Sequence, residues 1–544
     1  MNAYKADRRN RGSDALIRGL SAAGVGRVFT LSGNHIMPVF DAALNGGIEL
    51  LHTRHEAAAV HMADAFARVS GRVGIAMVTG GPGHANAVSA LYTAQMAEAP
   101  VVLLSGHAPH AQIGRGAFQE MRQAAMAEPV TKASWVCASA AEVHSDIARA
   151  IRIARSGRPG PVHLSLPTDV LESDAASQAA PAAAFEAEAV ALAPETAAEL
   201  MQQLAQARRP IILVGPACLT RAGRKVLAAL EAASGIPVVG MESPRGIADP
   251  SLGTFAQVLA QADRLLLVGK RLDFTLAFGK APFPLEAAVH QVDPESAEIE
   301  RTQRAIGQRL GITAQADALL AIGALIRAAR KPASREWQEE VRSAVAYRPA
   351  AWDTAQSAQS GRLHPVQMLR PLQRLLDSHS DAVLVCDGGE IGQWASACLS
   401  APHRVINGVA GSIGSGLPYA LGARCAESSA PVVAVMGDGT VGFHIAEFDT
   451  AVRYRLPFVA VVGNDARWNA EYQIQLRDYG PERMVGCELL PTRYDAVAQA
   501  FGAHGACVTE AAQMGAAVQA AHASGLPACI NAMIEGVPAP KITR

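Results

Sequence analysis

The 544-residue sequence lacks several features that define whole classes of protein. Its cysteines form no Cys-x-x-Cys pair and no cluster with histidine, which excludes a zinc finger and a redox dithiol. Thiols scattered through a chain of this size are typical of reduced, buried side chains. No apolar run approaches the roughly 20 residues that a membrane-spanning helix needs, and the N-terminus has no apolar signal-peptide core. We therefore expect a soluble, cytoplasmic protein with no membrane partner.

An excess of charge of either sign is also missing. The chain contains 48 lysine and arginine residues against 49 aspartate and glutamate residues, which gives a formal net charge of −1. Proteins that bind nucleic acid or anionic membranes through their overall charge carry a surplus of basic residues. We therefore expect no nucleic-acid partner and favour a small-molecule substrate.

Short β-branched runs that end at or near glycine alternate with alanine-rich, helix-like stretches along the whole chain. Examples are Ile75–Val78, Val101–Leu104 and Val432–Met436. These runs show no alternation of polar and apolar residues, as expected for strands buried on both faces of a parallel sheet. The pattern predicts an α/β fold with parallel sheets.

Two low-complexity stretches divide the sequence into three segments. Residues 175–194 are rich in alanine and proline and are interpreted as a linker, and residues 331–364 form a polar, partly helical connection. The predicted segments are 1–175, 190–335 and 360–544. The first and third both carry glycine-rich turns after strands, which suggests that their folds are related.

In the third segment, two acidic residues each follow a buried apolar run. Asp438 lies in Gly437–Thr440 at the end of one run, and Asp465 follows the next run, one strand–helix–strand unit later. Parallel sheets bind ligands at the carboxyl ends of their strands, where glycines let backbone N–H groups approach an anion. Gly-Asp-Gly alone is a common turn. Paired with a second acid, it favours a Mg²⁺ and phosphate site, to which Thr440 would add a hydroxyl.

With this motif the chain resembles the thiamine-diphosphate (ThDP)-dependent enzymes, whose cofactor motif begins with Gly-Asp-Gly and ends with Asn-Asn. Residues 437–465 match it, except that the second asparagine is Asp465, which can still supply an oxygen to the metal. The resemblance implies that Mg²⁺ is bound by Asp438, Asp465 and the backbone carbonyl of Arg467. The residues that it implies at the diphosphate are Gly437, Gly439, Thr440, and Gly389 and Glu390 in a second turn.

Two further positions in the family pattern concern the rings of the cofactor. Ile413, in the Gly411–Gly416 loop, is similar to the apolar residue that wedges between the two rings, although a core isoleucine beside a turn is the structural alternative. Glu56 begins a helix-like stretch, where any helix favours an acid. By resemblance it is the catalytic glutamate that hydrogen-bonds the pyrimidine N1′.

The remaining motifs follow in the order of the family, and the resemblance covers nearly the whole chain. Gly83 and Asn86 correspond to a turn that approaches the cofactor, and Gln119, in Phe118-Gln119-Glu120, to a residue near the reacting centre. The resemblance implies a pyrimidine-binding domain (1–175), a central domain (190–335) and a diphosphate-binding domain (360–544). It also implies active sites at a subunit interface, and hence a homodimer or homotetramer.

The central segment resembles a domain that carries FAD in acetolactate synthases and ADP in oxalyl-CoA decarboxylases. Its glycines after apolar runs, Gly215 and Gly269, are too common a feature to indicate either nucleotide. A structural domain without a ligand is therefore the favoured interpretation.

Residues 30–40 and 464–505 are most similar to benzaldehyde lyase, hydroxyacyl-CoA lyases and acetolactate-synthase-like members. His35 stands where benzaldehyde lyase has an active-site histidine. Glu471 follows Asp465 by six residues, the spacing of a proton-relay glutamate in pyruvate decarboxylases, so we predict that it handles a proton. An exposed helix residue is the alternative at 471.

The predicted function is a ThDP- and Mg²⁺-dependent lyase or carboligase that acts on 2-hydroxyketones, 2-oxo acids or 2-hydroxyacyl-CoA through an ylide and an enamine. The rivals are an acetolactate synthase catalytic subunit, whose usual sequence after Asn-Asn is replaced here by Arg467–Glu471, and a 2-oxo acid decarboxylase. A dinucleotide-binding oxidoreductase would need G-x-G-x-x-G, and Gly411, Gly414 and Gly416 have the wrong spacing. A non-catalytic relative would be expected to lack Glu56.

Overall fold

The computed structural model describes residues 10–175, 180–331 and 335–543. The strands in these residues form three sheets, and every strand pair in each sheet is parallel. Helices lie between most consecutive strands, so the predicted α/β fold class is confirmed. No helix of the described ranges is long and apolar enough to cross a membrane.

The first sheet has six strands and forms one compact unit with its helices. The strands are β1 Arg27–Thr30, β2 Glu49–His52, β3 Gly74–Val78, β4 Val101–His107, β5 Ser134–Val136 and β6 Val162–Pro167. The helices are α1 Gly12–Ala22, α2 Met37–Gly46, α3 Glu56–Ser70, α4 Pro82–Met96, α5 Gln123–Ala127, α6 Val143–Arg155 and α7 Thr168–Glu172.

The second sheet has five strands and corresponds to the central segment. Its strands are β7 Pro210–Val214, β8 Val238–Gly240, β9 Arg264–Val268, β10 Ala288–Asp293 and β11 Leu310–Gln315. The helices of this part are α8 Pro194–Gln206, α9 Arg221–Ser234, α10 Phe255–Leu259, α11 Ser296–Ile306, α12 Ala318–Arg327 and α13 Glu336–Ala346.

The third sheet again has six strands. They are β12 Val383–Cys386, β13 His403–Ile406, β14 Val432–Gly437, β15 Val459–Asn464, β16 His504–Val508 and β17 Ala528–Met533. The helices are α14 Pro365–Leu376, α15 Gly389–Cys398, α16 Gly416–Ala426, α17 Asp438–Val441, α18 Glu447–Arg453, α19 Asn469–Tyr479, α20 Tyr494–Ala500 and α21 Ala511–Ala523. The second and third sheets belong to one compact unit.

The first and third sheets share one topology, as their glycine-rich turns suggested. Their strand orders are β2-β1-β3-β4-β6-β5 and β13-β12-β14-β15-β17-β16, which are the same order when each sheet is numbered from its own first strand. In both sheets the second strand pairs with one side of the first strand, and the third strand pairs with its other side. Such sheets bind ligands beyond the carboxyl ends of the strands at which the order reverses, which are β1 and β3 in the first sheet and β12 and β14 in the third.

The inner strands are apolar because both of their faces are covered. All residues of β3, β4 and β6 are buried, which explains the absence of polar alternation in their sequences. Close packing also requires a residue without a side chain at position 74, because a Cβ on Gly74 would lie 2.1 Å from the backbone oxygen of Ala63 in α3. The helix can lie against the strand only because position 74 has no side chain.

The two connections between the predicted segments are more structured than their composition indicated. Within residues 180–194 a 3-10 helix, Ala182–Phe185, packs Phe185 into the core of the first unit; residues 176–179 of this linker lie outside the described ranges. Helix α13 follows the predicted end of the central segment, yet its Trp337 joins the central core and donates a hydrogen bond to the oxygen of Pro210 at 2.9 Å. The exact domain boundaries stay a prediction.

A buried ion pair in the first unit offers a test of its packing. Arg158 and Glu98 form a salt bridge in which both side chains are 3% exposed. We expect Arg158→Met to lower the free energy of unfolding by about 3–5 kcal/mol, because the buried Glu98 carboxylate loses the charge of the guanidinium. The exposed pair Arg152–Glu188 is the control, and Arg152→Met is expected to cost less than about 1 kcal/mol. Urea unfolding measures both, and equal losses would contradict the assignment.

Candidate functional site

Three acidic residues lie just beyond adjacent strands of the third sheet. Asp387 follows β12, Asp438 follows β14, and Asp465 follows β15. Because β12 pairs with β14 and β14 with β15, the three side chains stand at one edge of the sheet, beside its crevice. All three are buried.

Asp387 binds backbone rather than solvent. Its carboxylate accepts N–H groups from Gly388 at 2.6 Å, from Gly414 at 3.0 Å and from Gly416 at 2.9 Å. Burial raises the pKa of Asp387 to about 6, against the opposing effect of these hydrogen bonds. The residue therefore ties the Gly411–Gly416 loop to the turn after β12. Asp387 begins the turn of Gly389 and Glu390, which the resemblance assigned to the diphosphate, and the sequence did not predict this bracing role.

Glycines shape both turns around the crevice. Gly389 has a φ of +79°, a left-handed conformation that side chains strain to adopt. A Cβ on Gly388 would lie 2.5 Å from Ile413, and one on Gly439 would lie 2.6 Å from the ring of Trp468. The turns thus approach their neighbours as closely as backbone allows, and Ile413 is held in place by packing.

The crevice contains most of the residues that the sequence predicted for it. It has a volume of about 210 Å³. Ten predicted residues line it: Gly389, Glu390, Ile413, Gly437, Asp438, Gly439, Thr440, Asp465, Arg467 and Glu471. The crevice is also lined by Trp468 and by Arg245, which lies in the turn after β8. Arg245 does not stand out in the sequence, because only the packing of the central sheet brings it to this crevice.

Charges of both signs face this crevice. Burial raises the pKa of Glu390, Arg245 opposes that shift, and Glu471 adds to it by repulsion. Glu471 itself is exposed and lies in the first turn of α19. Glu390, Glu471 and Arg245 therefore bring charges of both signs to a crevice that glycine turns also line.

Two polar residues of the motif have structural hydrogen bonds. The hydroxyl of Thr440 donates to the oxygen of Gly437 at 3.0 Å and accepts from its N–H at 3.1 Å. The fully buried Asn464 donates to the oxygen of Thr492 at 2.9 Å and to Asn531 Oδ1 at 3.1 Å. Both side chains stabilise the turns that carry Asp438 and Asp465.

In the first unit, Glu56 is a buried carboxylate with a specific partner. It is the first residue of α3 and is 8% exposed. Asn86 Nδ2, on α4, donates to Glu56 Oε2 at 3.0 Å. A Cβ on Gly83 would lie 3.3 Å from Glu56 Oε1, so the glycine keeps the space beside this oxygen clear. The structure therefore brings Glu56, Gly83 and Asn86 together.

His35 and Gln119 lie on the same edge of the first sheet. Burial lowers the pKa of His35, whose Nδ1 is 3.2 Å from Thr79 Oγ1, just beyond β3. The ring stacks on Phe118 with centroids 6.0 Å apart, which places it against the loop of Gln119. Gln119 has a φ of +58°, a strained value for a residue with a side chain.

Comparisons with known proteins agree with this arrangement. The N-terminal TPP binding domain of thiamine pyrophosphate enzymes matches residues 10–126, the central domain residues 197–322, and the C-terminal TPP binding domain residues 387–532. The chain belongs to the thiamine pyrophosphate enzyme family. It is 32% identical to a probable acetolactate synthase of Mycobacterium bovis over 96% of this chain and 95% of the relative. It is 30% identical to 2-hydroxyacyl-CoA lyase 2 of Caenorhabditis elegans (94% and 86%) and of Homo sapiens (92% and 86%).

The protein is thus an enzyme of the lyase or transferase type with TPP-binding domains. A divalent ion fits the acidic pair of the third sheet. Burial raises the pKa of Asp438, and burial together with repulsion from Asp438 raises that of Asp465. A cation between them would relieve both effects. In the described part of the chain no three His, Cys, Asp or Glu side chains cluster as a metal site, so such an ion would need carbonyl, phosphate or water oxygens as well, which suits Mg²⁺.

The glycines that end β7 and β9 have a packing explanation. A Cβ on Gly215 would lie 2.1 Å from the backbone oxygen of Gly269, so the two turns touch each other. Lys270, which follows, is buried and donates to Thr275 Oγ1 at 2.5 Å. These residues need no FAD or ADP to account for them.

The bracing role of Asp387 can be tested directly. We expect Asp387→Asn to lower the free energy of unfolding by about 1–3 kcal/mol, because an amide has one oxygen for three N–H donors and turns its own NH₂ towards them. Asp377, exposed at the end of α14, is the matched control, and Asp377→Asn is expected to change stability by less than about 0.5 kcal/mol. Urea denaturation measures both variants; an unchanged Asp387→Asn protein would show that the loop is held otherwise.

Proposed function

We propose that this enzyme is a ThDP- and Mg²⁺-dependent carbon–carbon lyase or carboligase that acts on 2-hydroxyketones, 2-oxo acids or 2-hydroxyacyl-CoA. The observation that carries the proposal is the environment of Glu56, a buried acid bound by one amide with a clear space beside its other oxygen. Bound ThDP would supply a thiazolium that accepts the electron pair released when a carbon–carbon bond breaks.

The residues of the first unit would manage protons. Asn86 orients Glu56 Oε2 and leaves Oε1 to exchange a proton with a ring nitrogen in the space that Gly83 keeps clear. His35 is neutral near pH 7, because its pKa is lowered from an already near-neutral value, so its ring can either accept or donate a hydrogen bond. His35 and Gln119 are the candidates for contact with the substrate carbonyl.

The residues of the third sheet would hold the charged end of the cofactor. Asp438, Asp465 and the carbonyl of Arg467 are the proposed ligands of Mg²⁺, and the turns at Gly389 and Gly437–Thr440 offer backbone N–H groups to the diphosphate. Ile413, fixed by Gly388 and the Asp387 hydrogen bonds, would support the rings. Each of these groups would position the cofactor, and none of them would contact the reacting atoms of the substrate.

We further propose that the working unit is a homodimer or homotetramer with the Glu56 group of one subunit serving the diphosphate site of another. The cytoplasm is the proposed location, and the eight cysteines support it, because none of them forms a disulfide and thiols persist in reducing compartments.

An acetolactate-synthase-like reaction is the second candidate. Its support is the 32% identity to proteins of that name over nearly the full length of both chains. The same residues would serve it, since both reactions break a bond next to a carbonyl carbon. They differ in the group released, carbon dioxide from a 2-oxo acid or an aldehyde from a 2-hydroxyketone, and in whether a second carbonyl compound is then bound. Formation of acetolactate from pyruvate separates the candidates.

Glu56→Gln tests the central claim. With ThDP and Mg²⁺ added to a panel of acyloins, 2-oxo acids and 2-hydroxyacyl-CoAs, we expect wild type to turn over at least one class. The variant should lose about 10²–10⁴-fold in kcat, because glutamine cannot exchange the proton. Glu142→Gln, an exposed acid just before α6, is the matched control and should retain full activity. Turnover in wild type that ignores ThDP, or survives in Glu56→Gln, would refute the proposal.

Glu471 is the proposed proton donor or acceptor on the substrate side. It lines the crevice from α19, close enough to Glu390 to influence its pKa. We expect Glu471→Gln to lower kcat by about 10²-fold and to remove one ionisation from the pH profile of kcat. Glu482→Gln, at an exposed position beyond α19, should change neither. An unaltered profile in Glu471→Gln would make residue 471 an ordinary exposed helix residue.

A further inference from the structure

One buried amide in the first unit joins three neighbouring strands. Gln123, the first residue of α5, is 1% exposed. Its Oε1 accepts the N–H of Gly81 at 2.8 Å, and its Nε2 donates to the oxygen of Gly106 at 3.1 Å and to Ser165 Oγ at 3.0 Å. Gly81 lies just beyond β3, Gly106 near the end of β4, and Ser165 within β6, which are adjacent in the sheet.

Only a glutamine side chain in this orientation satisfies all three partners. The N–H of Gly81 needs an acceptor, and the carbonyl of Gly106 needs a donor. A carboxylate at position 123 would keep the first hydrogen bond and lose the second, and an apolar side chain of the same length would lose all of them. The three bonds are enclosed in the protein, so water does not replace them when they are lost.

The same amide stands next to the loop that carries Gln119. The backbone oxygen of Gln119 lies 2.7 Å from the position that a Cβ on Gly81 would occupy, so the loop rests on the turn that Gln123 binds. Gly81 itself has a φ of +59°. The strained conformation of Gln119 persists only where the surroundings fix it. Glu120 closes the loop by accepting the N–H groups of Gly114 at 2.5 Å and Ala117 at 3.0 Å, and Gln123 anchors it to the sheet.

Two histidines lie beside the Ser165 end of this network, where His163 Nε2 is 3.4 Å from Ser165 Oγ. The rings of His84 and His163 lie 4.4 Å apart, with His84 bonded to Ser105 at 2.9 Å and His163 to Ser134 at 2.8 Å. Burial lowers the pKa of His84 to about 4 and that of His163 well below its usual value. Both rings are therefore neutral near pH 7, and hydrogen bonds rather than ion pairs determine where the amide lies.

We propose that Gln123 is a positioning residue that fixes the Gly80–Gly83 turn and the Gln119 loop in one arrangement at the carboxyl edge of the first sheet. The inference rests on the proposed function, which places Gly83 beside the cofactor and Gln119 beside the substrate. A shift of about 1 Å in such groups costs on the order of 10²-fold in turnover. Gln123 acts through these two neighbours and does not touch the reacting atoms.

The test compares three variants of the full-length protein. Gln123→Met keeps the length of the side chain and removes its three hydrogen bonds. Ser165→Ala removes one of them and keeps the other two, so it reports on the anchor even where Gln123→Met fails to fold. Thr131→Val is the matched control, because it removes a buried hydrogen bond to the oxygen of Ala127, 2.8 Å long, at the far end of the same segment.

Two readouts separate positioning from general stability. With ThDP and Mg²⁺ saturating, we expect Gln123→Met to lower kcat at least tenfold with KM for the carbonyl substrate within threefold of wild type, and Ser165→Ala to lower kcat two- to fivefold. Amide hydrogen exchange of residues 114–122 and of Gly81 should be at least tenfold faster in Gln123→Met. Thr131→Val should stay within twofold of wild type in kcat and in exchange at these positions.

Equal kcat and equal exchange in Gln123→Met, Ser165→Ala and Thr131→Val would overturn the inference. Failure of the proposed function is recognised separately, as a wild-type protein without ThDP-dependent turnover. The exchange comparison needs no substrate. If the wild-type protein shows no ThDP-dependent turnover, faster exchange of residues 114–122 in Gln123→Met still supports the positioning role of Gln123, and unchanged exchange refutes it.

Discussion

Both candidate groups of site residues depend on the same constraint, the order in which parallel strands follow one another. In the first and third sheets the chain places its second strand on one side of the first and its third strand on the other. The loops after those strands must then diverge, and the space between them cannot be filled by the connecting helices. Glu56, His35 and Gln119 follow strands of the first sheet at their carboxyl ends, and Asp387, Asp438 and Ile413 follow strands of the third sheet in the same way.

Burial gives the carboxylates at these edges two different tasks. Asp387 and Glu56 are satisfied by donors of the protein itself, three backbone N–H groups in one case and the amide of Asn86 in the other. Asp438 and Asp465 are instead placed side by side, where burial raises the pKa of both and repulsion from Asp438 raises that of Asp465 further. A pair of this kind is costly for the fold alone, and a divalent ion removes that cost.

Glycines determine the backbone conformation of the turns that carry the site residues. Gly389 has a left-handed conformation, and Gly83 keeps the space beside Glu56 free. Buried amides and hydroxyls then hold the turns: Asn464 behind Asp465, Thr440 behind Asp438, and Gln123 behind Gly81. Asn464 and Gln123 thus support candidate site residues from behind, and neither is itself a candidate for contact with a ligand.

The sequence by itself determined the α/β class, the family, and the residues at strand ends, because continuous apolar runs and glycine-rich turns are local patterns. It placed Asp438 and Asp465 one strand–helix–strand unit apart, which in a parallel sheet makes them neighbours. Only the tertiary structure showed that Asp387 braces two loops, that Arg245 reaches the crevice from the central sheet, and that Gln123 links three strands. The hydrogen bonds of Asp387 to Gly414 and Gly416 span 27 and 29 positions, and those of Gln123 to Gly106, Gly81 and Ser165 span 17, 42 and 42. No local periodicity records which distant groups a buried side chain will find.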